Sequence, residues 1–279
     1  MSAGRMAGDT YLFIDGEYLR QIHRDVMREF FGVDGELDIG EAKHQAQAVR
    51  AFFYDSIDDI PRPGETEETC RARIAPLQEF FARTSALSGV HVRLGTVAGK
   101  RRRQKEVDIL FATDMFTHGF NGSMRTAVLL SGDLDFRPII EALVRHGVFV
   151  EVWYHRSSIA QELPGAADFG RELRFRQLYS SNTEAFKDAY RIPREDRHAG
   201  APYGELVELG SVAGRDAELR RHQVNAGTTF SFWITIEPGD TLRIRDDDEK
   251  LIERYVAIQH APIQWELRGD EVRIAGSGT

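Results

Sequence analysis

One cysteine, Cys70, stands among 279 residues, so no internal disulfide can form and the fold must hold without a covalent cross-link. No apolar run approaches the roughly 18 residues that a membrane-spanning helix needs. The opening segment MSAGRMAGDT lacks the apolar centre of a secretory signal. Together these absences lead us to expect a cytoplasmic protein. Positive charge is also scarce: 36 Lys and Arg face 44 Asp and Glu, for a net charge of −8. Any polyanion must then be held by a local basic patch rather than by the field of the whole molecule. Internal repeats and low-complexity tracts are absent too.

What is present is a globular composition, 42% hydrophobic and 29% charged, and a length suited to one full α/β domain with a smaller appendage. From residue 9 to residue 182, short apolar runs alternate with longer amphipathic segments. This is the pattern of a parallel sheet covered by helices on both faces. Strands are expected at Tyr11–Asp15, Val49–Tyr54, Val90–Val97, Thr126–Leu130 and Val148–Tyr154, with a further short one near Phe175–Tyr179. Apolar spacing of three and four predicts helices at Glu17–Phe31, Thr66–Leu87, Glu106–Thr117 and Phe136–His146. Residues 183–204 lose this periodicity and read as a linker or joining helix. Residues 205–279 read as a small α+β module. It holds a hairpin around Glu237-Pro238-Gly239-Asp240, a helix at Glu249–Ile258 and a second hairpin from Ile263–Arg268 to Glu271–Ala275.

The chemistry concentrates in acids at strand ends. Phe13-Ile14-Asp15-Gly16 leaves Asp15 at the carboxyl tip of the first strand, and Leu130-Ser131-Gly132-Asp133-Leu134-Asp135 does the same for Asp133 and Asp135 after the fourth. Open α/β sheets bind ligands outside such tips. Asp108 lies at the start of the helix after Lys105 and is expected to point toward the same rim. Asp114 falls inside that helix's apolar stripe, where a buried carboxylate needs partners, which makes it a supporting or hydrogen-bonding residue. Each aspartate alone is more often a turn or helix cap. Gathered on one rim, they repel each other unless a cation or proton is shared. An all-oxygen set suits Mg²⁺ or Mn²⁺ and not zinc, and such a site can cleave phosphodiesters.

Beside Asp108 runs Gly99-Lys100-Arg101-Arg102-Arg103-Gln104-Lys105, the densest positive stretch of the chain. Lys100, Arg101, Arg102, Arg103 and Lys105 are therefore candidate phosphate contacts, which give affinity without reading sequence. Arg137 and His155 are weaker candidates at other strand tips. Cys70 and the scattered His91, His118 and His146 carry no ligand spacing, and Phe230, Phe232 and Trp233 read as core.

Four segments, Phe13-Ile14-Asp15-Gly16, Phe52-Phe53-Tyr54-Asp55-Ser56, Lys105-x-Val107-Asp108 and Ser131-Gly132-Asp133-x-Asp135-Phe136, occur in the order found in NYN domains. Residues of about 9–180 resemble that family, including its LabA-like bacterial members. The resemblance implies a PIN-like fold and divalent-metal-dependent RNA cleavage. By position, Asp15, Asp108 and Asp133 match the acidic metal ligands, Asp135 the second acid of the Ser-Gly-Asp-x-Asp motif, Ser131 a supporting residue, and Lys105 a phosphate contact. One departure is local: the family often has an asparagine soon after the first Asp-Gly, where this chain has Glu17 and Tyr18. RNA is accordingly the expected partner, with a homo-oligomer formed through the C-terminal module as a second expectation. Two other readings compete. One is a non-catalytic RNA-binding or assembly protein; the other is a haloacid-dehalogenase-type phosphatase, which normally has an aspartate where Glu17 stands.

Overall fold

Residues 10–95, 100–225 and 227–266 are described in this computed structural model, with the backbone alone at 100–105. Tyr11 to Ile14 are buried at every position, as a strand covered on both faces requires. This strand, β1 (Thr10–Asp15), runs directly into α1 (Gly16–Phe31). Leu19, Ile22, Val26, Met27 and Phe30 form the buried face of α1, and Gly32 ends it in a left-handed cap (φ 76°). There follow α2 (Ile39–Gln45), β2 (Arg50–Asp55), α3 (Glu67–Ser85), β3 (Val90–Leu94), α4 (Lys100–Phe120) and β4 (Thr126–Leu130). A single 3₁₀ turn (Leu134–Phe136) then leads into α5 (Arg137–Arg145), β5 (Phe149–Tyr154), β6 (Phe169–Glu172), α6 (Phe175–Ser180) and α7 (Glu184–Ala189).

The six strands β1 to β6 make one parallel sheet in the order β3-β2-β1-β4-β5-β6. The chain winds outward from β1 to β3, returns to the middle, and winds outward again from β4. The strand order therefore reverses between β1 and β4, where open sheets form a crevice at their carboxyl ends. Phe13, Phe52, Phe111, Leu129, Phe136 and Val152 belong to the packed layer on one face of this sheet.

Two expectations need correction here. Phe175–Tyr179 is not a strand but α6. Phe175, Leu178 and Tyr179 are buried at helical spacing, and Gln177 accepts from the Arg174 backbone N–H at the helix start. The sixth strand is Phe169–Glu172 instead. The Asp108 helix starts at Lys100, not at Glu106, because the Lys-Arg-Gln-Glu run is itself a good helix former.

The chain divides into two compact units after Lys187. In the second, β7 (Arg194–Ala199), β8 (Glu205–Val212), β9 (Arg215–Val224), β10 (Gly227–Glu237), β11 (Asp240–Asp246) and β12 (Ile263–Trp265) form an antiparallel sheet in the order β12-β8-β9-β10-β11-β7. One face is covered by α8 (Glu249–Gln259), whose Ile252, Tyr255 and Val256 are buried. Phe232, Trp233 and Ile234 are buried in β10. The 183–204 segment, expected to be a linker or joining helix, holds the short helix α7 and also β7, which pairs with β11 throughout its length. The second C-terminal hairpin falls from residue 267 onward outside the described residues.

Candidate active site

β1 delivers Asp15 to the crevice, and the side chain has two neighbours that fix it. It caps α1 by accepting the Tyr18 backbone N–H at 3.0 Å. Its other oxygen accepts the Ser131 hydroxyl at 3.1 Å. Ser131 is fully buried at the tip of β4, and its oxygen also accepts the Asp133 backbone N–H at 3.2 Å. Asp133 in turn caps the 3₁₀ turn by accepting the Asp135 backbone N–H at 2.9 Å. Capping and clustering are thus the same geometry here: the caps aim the carboxylates.

Gly16 and Gly132 allow this crowding. A Cβ on Gly16 would stand 2.6 Å from Asp55 Oδ2 and from the Phe53 ring. One on Gly132 would run into the Ser158 carbonyl oxygen and the Tyr18 ring.

A cavity of about 40 Å³ opens between these tips, and Asp15, Asp108, Asp133, Glu17 and Asp55 all line it. Asp108 reaches it from the third turn of α4, so the helix dipole does not favour its charge; packing on the sheet alone brings it there. Burial chiefly pushes the Asp15 carboxyl up to about 6, with added repulsion from Asp55 and Asp108. Asp108 is pushed up to about 6 as well, by burial and then by Asp133, Asp135 and Glu17. Two acids raised chiefly by burial, each also repelled by other acids, mark a rim where a shared proton or cation would be favoured.

Asp135 does not line the cavity; it is exposed and acts on Asp108 only through its charge. Asp114 lies farther along α4, where it accepts the Tyr54 hydroxyl at 2.8 Å and Arg93 Nε at 3.3 Å. Burial and Asp114 together hold the Tyr54 phenol protonated, and Tyr54 lines the cavity, so Asp114 supports one of its walls. The side chains of Lys100, Arg101, Arg102, Arg103 and Lys105 lie outside the described residues; the backbone puts the run in the opening turns of α4. Arg137 is exposed and paired with Glu141 at 2.7 Å. His155 donates its backbone N–H to the Tyr18 hydroxyl at 2.9 Å.

Asp55 stands in the Phe52-to-Ser56 segment that resembles the family, but no role was expected of it. It ends β2 as Asp15 ends β1, is 3% exposed, and takes a two-pronged ion pair from Arg20 at 2.8 and 2.9 Å. The signal was the same, an acid at a strand tip. Tyr18 occupies the departure from the usual asparagine: burial pushes its phenol up to about 12, and its ring fills the space over Gly132.

The donor set suits a hard cation: oxygen atoms only, on a rim short of positive charge. Among the described residues, no three His, Cys, Asp or Glu side chains form a ready-made ligand set. The carboxylates stand around the cavity rather than closed on its centre.

A model of the NYN domain matches residues 9–171, more than half of the chain. The chain belongs to the NYN family. Its N-terminal unit is therefore a PIN-like α/β domain related to nucleases, and the matched span holds every acid of the rim. No curated protein matches the chain. Among solved structures, a protein of unknown function from Vibrio parahaemolyticus is similar at 16% identity with a TM-score of 0.40, covering 61% of this chain and 96% of that one. No helix among the described residues is long and apolar enough to cross a membrane.

Proposed function

We propose that this NYN domain is a divalent-metal-dependent ribonuclease that hydrolyses RNA phosphodiester bonds. The observation that carries this reading is the gathering of Asp15, Asp108 and Asp133 around one small cavity at the β1–β4 reversal of the sheet. Asp15, Asp108 and Asp133 would hold Mg²⁺ or Mn²⁺, with Asp135 outside them acting through its charge. Such an ion, when bound, would supply positive charge for the phosphate oxygens and make water a better nucleophile.

The chain's own groups do the remainder. A rim carboxylate that the ion does not engage can accept the proton of an attacking water. Ser131 holds Asp15 and the Asp133 loop in one arrangement, so the carboxylates need not reorganise when substrate arrives. Lys100, Arg101, Arg102, Arg103 and Lys105, in the opening turns of α4, supply the phosphate affinity that an acidic rim lacks.

Purified protein should cut RNA in magnesium or manganese, and both EDTA and Asp133→Asn should stop it. Unabated cleavage under both conditions sinks the proposal. The lack of a ready-made ligand trio among the described residues favours a second reading, an RNA-binding protein without turnover. Salt-sensitive RNA binding in metal-supplemented buffer, with single-stranded and structured RNA both left intact, would select it.

A further inference from the structure

Next to the carboxylate cavity lies a larger one of about 220 Å³, between α1, the segment after β2, and α3. Glu17, Asp55 and Ser56 line both, so the two spaces share a wall. The larger space differs in chemistry. Ile57, Ile74 and Leu77 give it an apolar side, while Arg20, Arg62 and Asp58 give it a polar one.

Its walls are held in place. The Arg20 guanidinium is clamped by Asp55, which fixes its plane. Arg73 ties the 58–65 segment to α3, donating to Glu65 at 2.8 and 3.0 Å and to the carbonyl oxygens of Asp58 and Ile60. Arg62 stands exposed at the mouth.

We infer that this cavity receives the nucleoside next to the scissile phosphate, as a single unpaired base with its ribose. The inference rests on the nuclease reading for the words "scissile phosphate" but not for the binding itself. An apolar side with a guanidinium plane accepts the faces of a base, since stacking and cation–π contact are available to every base. Ser56 and Asp58 can accept hydrogen bonds from ribose hydroxyls, which also distinguish RNA from DNA. A base pair does not fit in a space of this size, so the strand entering it must be single. RNA-binding proteins commonly take splayed bases in this way.

The test reads binding and not turnover. The full-length protein is titrated with adenosine and uridine 5′-monophosphates, and with inorganic phosphate as control, by calorimetry. At least one nucleotide should bind more tightly than phosphate. Leu77→Trp, which fills the apolar side, should weaken it about ten-fold or more, the size of one lost stacking contact. Arg62→Glu, at an exposed position that leaves the core intact, should weaken it too, and decides the matter should Leu77→Trp fail to fold. Equal affinity for nucleotide and phosphate, no nucleotide binding at millimolar concentration, or unchanged affinity in the folded variants overturns the inference. A protein that binds nucleotide here yet cuts no RNA would refute the nuclease reading and leave the subsite standing. One that cuts RNA yet fails these titrations would do the reverse.

Discussion

The Ser131 hydroxyl donates to Asp15 across 116 positions of sequence, and the same oxygen receives the Asp133 backbone N–H. One buried side chain thus joins the tips of β1 and β4 and aims a carboxylate on each side. Ser131→Ala should lower stability by about 1–2 kcal/mol, because two groups lose a buried partner. It should also weaken metal affinity by roughly 10–100-fold, the usual cost of losing a residue that orients a ligand. Chemical denaturation and a metal titration read the two effects separately. Wild-type metal affinity in the variant would show that Ser131 holds the fold alone.

Asp15 should make stability fall as pH rises. Its carboxyl is raised to about 6 in the folded chain, mainly by burial, so folding tightens the grip on that proton. Well below pH 3.8 the group is neutral in both states and costs nothing. Between about pH 4 and 6 the unfolded chain loses the proton first, and stability declines. Above about 6 the folded chain carries the buried charge in full. Asp15→Asn keeps a good helix cap and removes the charge. In EDTA it should be more stable than wild type by about 3 kcal/mol at pH 7.5, with the gap closing toward about pH 3. A gap that does not change with pH would count against the assigned cause.

Metal should reverse that penalty. Mn²⁺ or Mg²⁺ at about 100 times its dissociation constant should stabilise the protein by about 2.7 kcal/mol. Asp108→Asn should lose most of this shift. Asp114→Asn should start from a lower melting temperature, having weakened its bonds to Tyr54 and Arg93, yet keep the shift. Thermal melts with and without metal distinguish the two acids, and equal losses in both variants would reject the division of roles.

Breaking the Arg20–Asp55 pair from one side should be costly, whatever the pair's net contribution. The Asp55 side chain is 1% exposed and that of Arg20 27%. Arg20→Leu leaves a buried carboxylate with the Ser56 backbone N–H but no cation and should cost about 3 kcal/mol. Asp55→Asn, which leaves only the better-hydrated Arg20 unpaired, should cost less. Urea unfolding of both variants would show the order, and the opposite order would refute it.

The sheet and the rim were legible in sequence to unequal degrees. β1 and β4 each combine an unbroken apolar run with an Asp-Gly or Ser-Gly-Asp turn, and both signals are local. Asp55 has the same strand-end placement, but what gives it meaning is Arg20, 35 positions away, which no local pattern reveals. Tyr18 is similar: its role lies in meeting His155 and Gly132 across the sheet. Phe175–Tyr179 misled because a short aromatic run suits a strand as well as a single helical turn. β7, β8 and β9 were missed because their exposed positions are rich in Arg and Glu, as in Arg194-Glu195-Asp196-Arg197 and Glu205-Leu206-Val207-Glu208. Only tertiary pairing turns such segments into strands.

The reversal of strand order between β1 and β4 has a consequence for how the molecule comes into being. β1 lies beside β4, yet the chain must complete β2, α3, β3 and α4 before β4 is even synthesised. Contacts of such long sequence separation form slowly and late. A nascent chain that stops short of Thr126 contains Asp15 and Asp108 but neither Ser131 to orient the one nor Asp133 to complete the set. The cell therefore makes this rim last among the parts of the first sheet's centre, and a truncated product of translation carries Asp15 and Asp108 without the site.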